Sequence, residues 1–197
     1  LEKNIPIAAG MAGGSTDAAT TFIAMNDIFG LGLSKAELME RAVNLGADIP
    51  YCILRGTALS EGIGDILTPL PEYKDVTILI VKPPINVSTA FVYGNLKIDS
   101  QTNHPDIDNI MNYMAQMNHS AVGSLLGNVL EDVTVKEYPV IDDIKGCMIK
   151  NGSLGALMSG SGPTVFGIFE NDETAGKALE KCLLLVPGSF AKVVHTI

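Results

Sequence analysis

The sequence predicts a two-lobed α+β fold whose C-terminal lobe is an antiparallel sheet with helices on one face. Three observations lead there. Beyond Val76, short β-branched and aromatic runs alternate with amphipathic runs of helical period. Between Pro69 and Asp75 lies a short, charged, proline-bearing stretch of the kind that joins domains, dividing the chain into residues 1–72 and 73–197. Ahead of it, a glycine-rich loop feeds straight into an amphipathic run, so the first lobe is expected to present a loop at a helix N-terminus.

The elements follow in order. Leu1 to Ile5 reads as a short strand ended by Pro6. Ala18, Ala19, Phe22, Ile23, Met25, Asn26 and Phe29 recur with helical period, with Ser15, Thr16 and Asp17 as capping and first-turn residues and Gly30 as the stop. Ser34 caps a second helix that buries Leu38, Met39, Ala42, Val43 and Leu45 and ends at Gly46. Tyr51 to Leu54 and Thr57 to Glu61 read as strands around Arg55-Gly56. Gly62-Ile63-Gly64 turns the chain into Ile66 to Pro69, making a small antiparallel sheet.

The second lobe opens on a strand from Val76 to Val81. Lys82-Pro83-Pro84 stiffens the connection to a helix from Ala90 to Leu96, capped by Ser88 or Thr89. Helices are expected over Asp106 to Asn118 and Ser120 to Gly127, and again from Pro139, which suits a first helical turn, to about Lys150. Leu154 to Met158 and Val165 to Phe169 read as strands around Ser159-Gly160-Ser161-Gly162-Pro163-Thr164. Asn171 caps a helix burying Ala175, Ala178, Leu179, Cys182 and Leu183, and Phe190 to His195 is the last strand.

Composition narrows the function classes. With 197 residues, 47% of them hydrophobic, the chain can bury a real core and is not disordered. A net charge of −9 without any Lys/Arg run argues against nucleic acid or an anionic membrane surface as partner. An acidic protein still binds a nucleotide where loop amides, a helix dipole and metal ions supply the local positive field. Cys52, Cys147 and Cys182 are odd in number and lack Cys-x-x-Cys spacing, which points to a reducing, cytoplasmic location; His104, His119 and His195 have no ligand-spaced neighbours. Neither an apolar run of membrane-spanning length nor a signal pattern is found in the sequence. The chain starts without methionine and enters almost at once into a strand and loop, so an N-terminal truncation is expected. The oligomeric state is not legible.

The chemistry sits in three stretches. Pro6-Ile7-Ala8-Ala9-Gly10-Met11-Ala12-Gly13-Gly14-Ser15-Thr16-Asp17-Ala18-Ala19 packs glycines and alanines immediately before a helix. Small residues allow close backbone approach, and first-turn N–H groups lack internal partners, so the stretch suits anionic oxygens; it equally suits a plain helix entry. No lysine precedes Ser15 and the glycine spacing is Gly-x-x-Gly-Gly, so it is neither a Walker loop nor a dinucleotide fingerprint. Asp48, the one acid in Gly46-Ala47-Asp48-Ile49-Pro50, reads either as a turn or N-cap residue or as a partly buried carboxylate able to deprotonate a hydroxyl. The Ser159 to Thr164 turn offers repeated N–H groups and hydroxyls with little bulk, a second wall for anionic oxygens or a plain strand connection.

Taken together, these stretches resemble the second and third motifs of the GHMP small-molecule kinases, with Gly-Ala-Asp-Ile-Pro between them. The resemblance spans essentially the whole chain and is thinnest between Lys97 and Lys150. Leu45 to Pro50, Gly56 to Ala58, Glu61 to Asp65, Leu67 to Leu70 and Met158 to Thr164 are most similar to the branch that phosphorylates a cytidine diphosphate-linked methylerythritol in isoprenoid biosynthesis. The resemblance implies the two-lobed fold of that family, an ATP-binding N-terminal domain, and ATP with Mg²⁺ as cofactors. It implies Asp48 as the catalytic base and Pro6, Ile7, Ala8, Ala9, Gly10, Met11, Ala12, Gly13, Gly14, Ser15 and Thr16 as the nucleotide-phosphate loop. Ser15 or Thr16 would lie nearest Mg²⁺. Thr89, Tyr93, Ser159, Gly160, Ser161 and Gly162 would face the substrate, with Tyr93 stacking on the base. The family's first motif, which carries a lysine partnering the aspartate and a Tyr-His pair for cytosine, matches no residue here and is expected ahead of Leu1; Lys3 is not a substitute. Two rivals stand beside this reading: another GHMP kinase, acting on mevalonate or homoserine, and a nucleotide-binding module inactive for want of the first motif.

Overall fold

The computed structural model describes residues 2–197, which pack as two units. One comprises the chain up to Ile7 together with Ala12–Glu72; the other comprises Ala8–Met11 together with Tyr73–Ile197.

The first unit holds α1 (Gly13–Ile28), α2 (Lys35–Ala42), α3 (Ile49–Leu54), β1 (Ala58–Glu61) and β2 (Ile66–Pro69). Ala19 of α1, Leu38 and Ala42 of α2, and Ile49 and Ile53 of α3 form its core, with Ala18, Phe22, Ile23 and Met39 packed around them. The buried stripe of α1 is narrower than the periodicity predicts, since Met25 and Phe29 are exposed, as is Leu45 beyond the end of α2. Ser34 caps α2 as expected, in a reciprocal capping box with Glu37. β1 and β2 form an antiparallel hairpin through Gly62 and Gly64, also as expected.

Three expectations for this unit need correction. Leu1 lies outside the described residues, and residues 2–5 form no strand: β1 and β2 pair only with each other, leaving no ladder for that segment to join. Tyr51 to Leu54 belongs to a helix, because Pro50 sits in the first turn and Ile49 and Ile53 fall on one face, a short apolar run whose period alone is ambiguous. Helix α1 begins at Gly13, with Ala12 as its N-cap, so Ser15 and Thr16 fall in its first turn as expected but cap nothing, and Asp17 lies beyond that turn. Asp17 pairs instead with Lys3.

The second unit contains β3 (Thr77–Lys82), α4 (Thr89–Asn95), α5 (Ile107–Ala115), α6 (His119–Leu125), α7 (Glu131–Glu137), α8 (Val140–Lys150), β4 (Gly155–Met158), β5 (Val165–Phe169), α9 (Asp172–Leu185) and β6 (Phe190–His195). Among the described residues its sheet runs β4-β5-β3-β6, antiparallel throughout. The antiparallel sheet with helices is the expected layer, and the helices reach both of its faces. Leu79, Val81, Val165 and Phe169 face Ile141, Ile144 and Met148 of α8 and Ala175, Ala178 and Cys182 of α9. Their alternate neighbours Ile78, Phe166 and Ile168 pack with Ile110, Tyr113 and Met114 of α5 and Val122 of α6. Buried on both sides, these strands read as continuous apolar runs, which hides the second helical layer from a sequence reading. Helix α7 was also missed, having too short an apolar period to stand out.

Candidate functional site

In the first unit the glycine loop enters α1 without a side-chain cap and without an acid in the first turn. The Thr16 N–H is taken by the Ala12 carbonyl at 2.9 Å, while the N–H groups of Gly13, Gly14 and Ser15 precede any intrahelical acceptor. Space is open above Gly14, where an added Cβ would meet nothing within 4 Å. This end of α1 therefore offers unspent donors and a positive dipole end, which fits phosphate oxygens. The Thr16 hydroxyl donates to the Ala12 carbonyl at 3.0 Å and lies 3.7 Å from the Cys52 sulfur. Ser15 keeps its hydroxyl free of any hydrogen bond to the described residues and is the better placed of the two to ligate a hard cation.

Asp48 stands at the N-terminal end of α3, where Ile49, Pro50 and Ile53 turn into the core. The expectation of partial burial fails: the Asp48 residue is exposed, because the helix spends its apolar positions inward and leaves Asp48 on the outer side. Its carboxylate caps no helix N–H, so it is not consumed by a local structural role.

Pro6 and Ile7 belong to the first unit, with Ile7 76% exposed, whereas Ala8–Met11 packs with the second. Ala8, Gly10 and Ala12 all take left-handed backbone angles, with φ of 51°, 69° and 47°. For an alanine such an angle costs about 1–2 kcal/mol. Gly10 has a further requirement. Its carbonyl accepts from the Ser159 hydroxyl at 2.7 Å, and a Cβ there would sit 2.4 Å from the Ser159 carbonyl oxygen.

Within the second unit the Ser159–Thr164 turn is held from several sides. Ser159 N–H donates to the Thr164 carbonyl at 2.8 Å and Gly162 N–H to the Ser159 carbonyl at 2.9 Å. Ser161 is buried and shares a 2.9 Å hydrogen bond with the Thr89 hydroxyl at the start of α4. Gly162 is buried with φ of 87°, and Gly160 is exposed. Tyr93, one helical turn beyond Thr89, is 61% exposed and makes its ring available to a ligand. Within one unit the structure thus joins Gly10 to Ser159 and Thr89 to Ser161 through direct hydrogen bonds. Asp48, Ser15 and Thr16 are carried by the other.

Sequence reasoning missed the residues that support this turn. Asn128 and Thr134 bond its backbone, Glu131 accepts from the N–H of Met158 just ahead of it, and Lys145 pairs with Glu131 at 2.5 Å. The only signal for them was a polar Asn-x-x-Glu pair flanking the apolar Val129-Leu130. Cys182 is no nucleophile: burial first, and the neighbouring Cys147 second, push its thiol up to about 12. Among the described residues no three His, Cys, Asp or Glu side chains are grouped to hold a metal, so a cation here would depend on hydroxyls and on the oxygens of its own ligand.

Residues 1–56 match the pattern of the GHMP kinases N terminal domain and residues 100–183 that of the GHMP kinases C terminal domain. A protein of Lachnoclostridium phytofermentans named 4-diphosphocytidyl-2-C-methyl-D-erythritol kinase is 54% identical over 178 residues, covering 90% of this chain and 61% of its own length. One of the same name from Lachnospira eligens is 53% identical over 174 residues, covering 88% of this chain and 60% of its own. The chain thus spans about 60% of the length of these relatives. Among solved structures, a 4-(cytidine 5'-diphospho)-2C-methyl-D-erythritol kinase superposes with a TM-score of 0.80 at 29% identity, covering 100% of this chain and 69% of that one. Homoserine kinase from Cytophaga hutchinsonii superposes at 0.85 with 20% identity, covering 99% and 68%, a likeness of fold alone.

Proposed function

We propose, for a chain that belongs to the GHMP kinase family, that it serves an ATP-dependent kinase acting on the 2-hydroxyl of 4-diphosphocytidyl-2-C-methyl-D-erythritol, a step of isoprenoid biosynthesis in the cytoplasm. The observation that carries this reading is 54% identity, over 90% of the chain, to a relative bearing that kinase's name. Residues 1–72 then act as the ATP-binding domain and residues 73–197 as the second domain of the enzyme.

ATP supplies the phosphoryl group and Mg²⁺ neutralises charge on its oxygens; the rest is the work of the chain. The N–H groups of Gly13, Gly14 and Ser15 would receive phosphate oxygens at the positive end of α1, and the Ser15 hydroxyl would be the chain's ligand to Mg²⁺. Asp48 accepts the proton of the acceptor hydroxyl, a task suited to an ionised carboxylate that no helix N–H consumes. Its exposure leaves it open to a substrate. Thr89 and Tyr93 orient the cytidine part, Tyr93 by stacking. In the second unit, the Ser159–Gly162 segment contributes the N–H groups of Gly160 and Ser161 toward the substrate.

The test is a panel of alcohols with labelled ATP and Mg²⁺. Phosphoryl transfer to the cytidylyl substrate, with mevalonate and homoserine at least about 10²-fold poorer in kcat/KM, is the expected result. Preference for mevalonate or homoserine would move the protein to another branch of the family. Nucleotide binding without transfer to any alcohol would leave only a binding module.

A further inference from the structure

Asn128 lies in the connection between α6 and α7, outside every motif that drew attention in the sequence. Both protons of its amide go to the end of β4 and the glycine turn that follows: Nδ2 donates to the Met158 carbonyl at 2.9 Å and to the Gly160 carbonyl at 2.8 Å. Its Oδ1 accepts from the Leu130 N–H at 3.0 Å. These three bonds permit one orientation of the amide, because turning it over would set Oδ1 against two carbonyl oxygens. Glu131 takes Met158 from its other backbone group, Oε1 accepting the Met158 N–H at 2.8 Å while Oε2 pairs with Lys145. β4 is an edge strand, so the outward backbone groups of Met158 have no neighbouring strand to meet. Asn128 and Glu131 stand in for that strand at the residue where β4 passes into the turn.

The bonds extend along the turn. Ser159, next to Met158, donates to Gly10, while Ser161, next to Gly160, bonds Thr89 through its hydroxyl and accepts from the Thr134 hydroxyl at its carbonyl, 3.3 Å away. By fixing the carbonyls of Met158 and Gly160, one on each side of Ser159, Asn128 sets the directions in which the two serines point.

We propose that Asn128, backed by Glu131, is a positioning residue that holds the Ser159–Pro163 turn in the conformation that receives a phosphate-bearing ligand. This rests on the kinase reading of the turn given above. Asn128 acts through the turn and touches no reactant.

The test is Asn128→Asp in the full protein, which keeps shape but opposes two carbonyls with a carboxylate; Asn128→Ala serves if the first variant does not fold. Turnover of ATP with 4-diphosphocytidyl-2-C-methyl-D-erythritol is measured beside amide hydrogen exchange over residues 159–163. A misplaced turn should lower kcat on the order of 10²-fold, with the KM for ATP changed much less. Exchange should quicken in the turn while α8, α9 and β3 keep their protection. Glu131→Ala should reproduce that signature, and Glu131→Gln, which retains an oxygen for the Met158 N–H, should recover part of the loss. An active wild-type protein whose Asn128 variants keep kcat overturns the positioning role, whatever the exchange shows. So does a loss of protection spread over the whole unit, which would mark Asn128 as merely structural. A wild-type protein that phosphorylates no alcohol overturns the kinase reading itself, and with it the role toward a phosphate.

Discussion

Asp48 shows how a single residue can be read only part-way from its neighbours. A lone acid among Gly46, Ala47, Ile49 and Pro50 marks a special position, and the structure leaves its carboxylate outside the capping of α3. General-base help is typically worth ~10²–10⁴-fold. Asp48→Asn should therefore lower kcat on at least that scale and leave ATP affinity nearly intact, since nucleotide oxygens are assigned to the loop amides. Comparing kcat with a separate titration of ATP binding checks both halves, and an Asp48→Asn protein with unchanged turnover would remove the base assignment. Gly10 is legible in a different way. A glycine in a loop is unremarkable until its φ of 69° and its approach to the Ser159 carbonyl are known, and the approach is to a residue 149 positions away.

At the scale of elements, glycines bring α6 and β4 into close contact. A Cβ on Gly155 would lie 2.2 Å from the Gly123 carbonyl oxygen, and one on Gly123 would lie 2.4 Å from that of Leu154. Helix and edge strand meet backbone to backbone, so no side chain can yield to make room. Gly155→Ala should destabilise the protein by about 1–3 kcal/mol as an overpacked site. Gly176 in α9 is the contrast: nothing lies within 4 Å of its added Cβ, and Gly176→Ala should stabilise by about 0.5–1 kcal/mol through helix propensity and the unfolded chain. Urea denaturation of the two variants gives opposite signs if the contact geometry is right. From sequence the two glycines look alike, because only the partner across the interface separates them.

For the whole molecule, the surface carboxylates set the response to acid. Hydrogen bonds from Ser34 hold Glu37 below its ordinary value, those from Asn109 do so for Asp106, and that from Lys177 for Glu173; Asp172 is lowered by His195 first and Thr77 second. A carboxylate with a lowered folded pKa contributes stability above its unfolded value, and that contribution disappears as pH falls through the folded value. Melting temperature should be highest with pH above the reference values of 3.8 and 4.5, and should decline as pH drops below them. All four side chains face solvent, so the decline should be shallow and weaker still in high salt. Thermal melts across that range, at two salt concentrations, provide the measurement; stability rising toward acid would contradict it.

Local chemistry carried most of what the sequence determined by itself. The helix stop at Gly30, the caps Ser34 and Asn171, the hairpin through Gly62 and Gly64, and the strand runs of β3, β5 and β6 depend on residues within a few positions of one another. The motifs pointing to the kinase family are likewise contiguous. Tertiary structure decided what depends on distant partners: that residues 2–5 have no strand to pair with, that Tyr51 to Leu54 coils on Ile49 and Ile53, and that helices cover both faces of the sheet. It also decided that Asn128 and Glu131 hold the second glycine turn, through bonds spanning 27 to 32 positions. The physical reason is the same throughout: a backbone group's nearest residues choose its dihedral angles, but an edge strand or a turn is completed only by whatever the fold brings beside it.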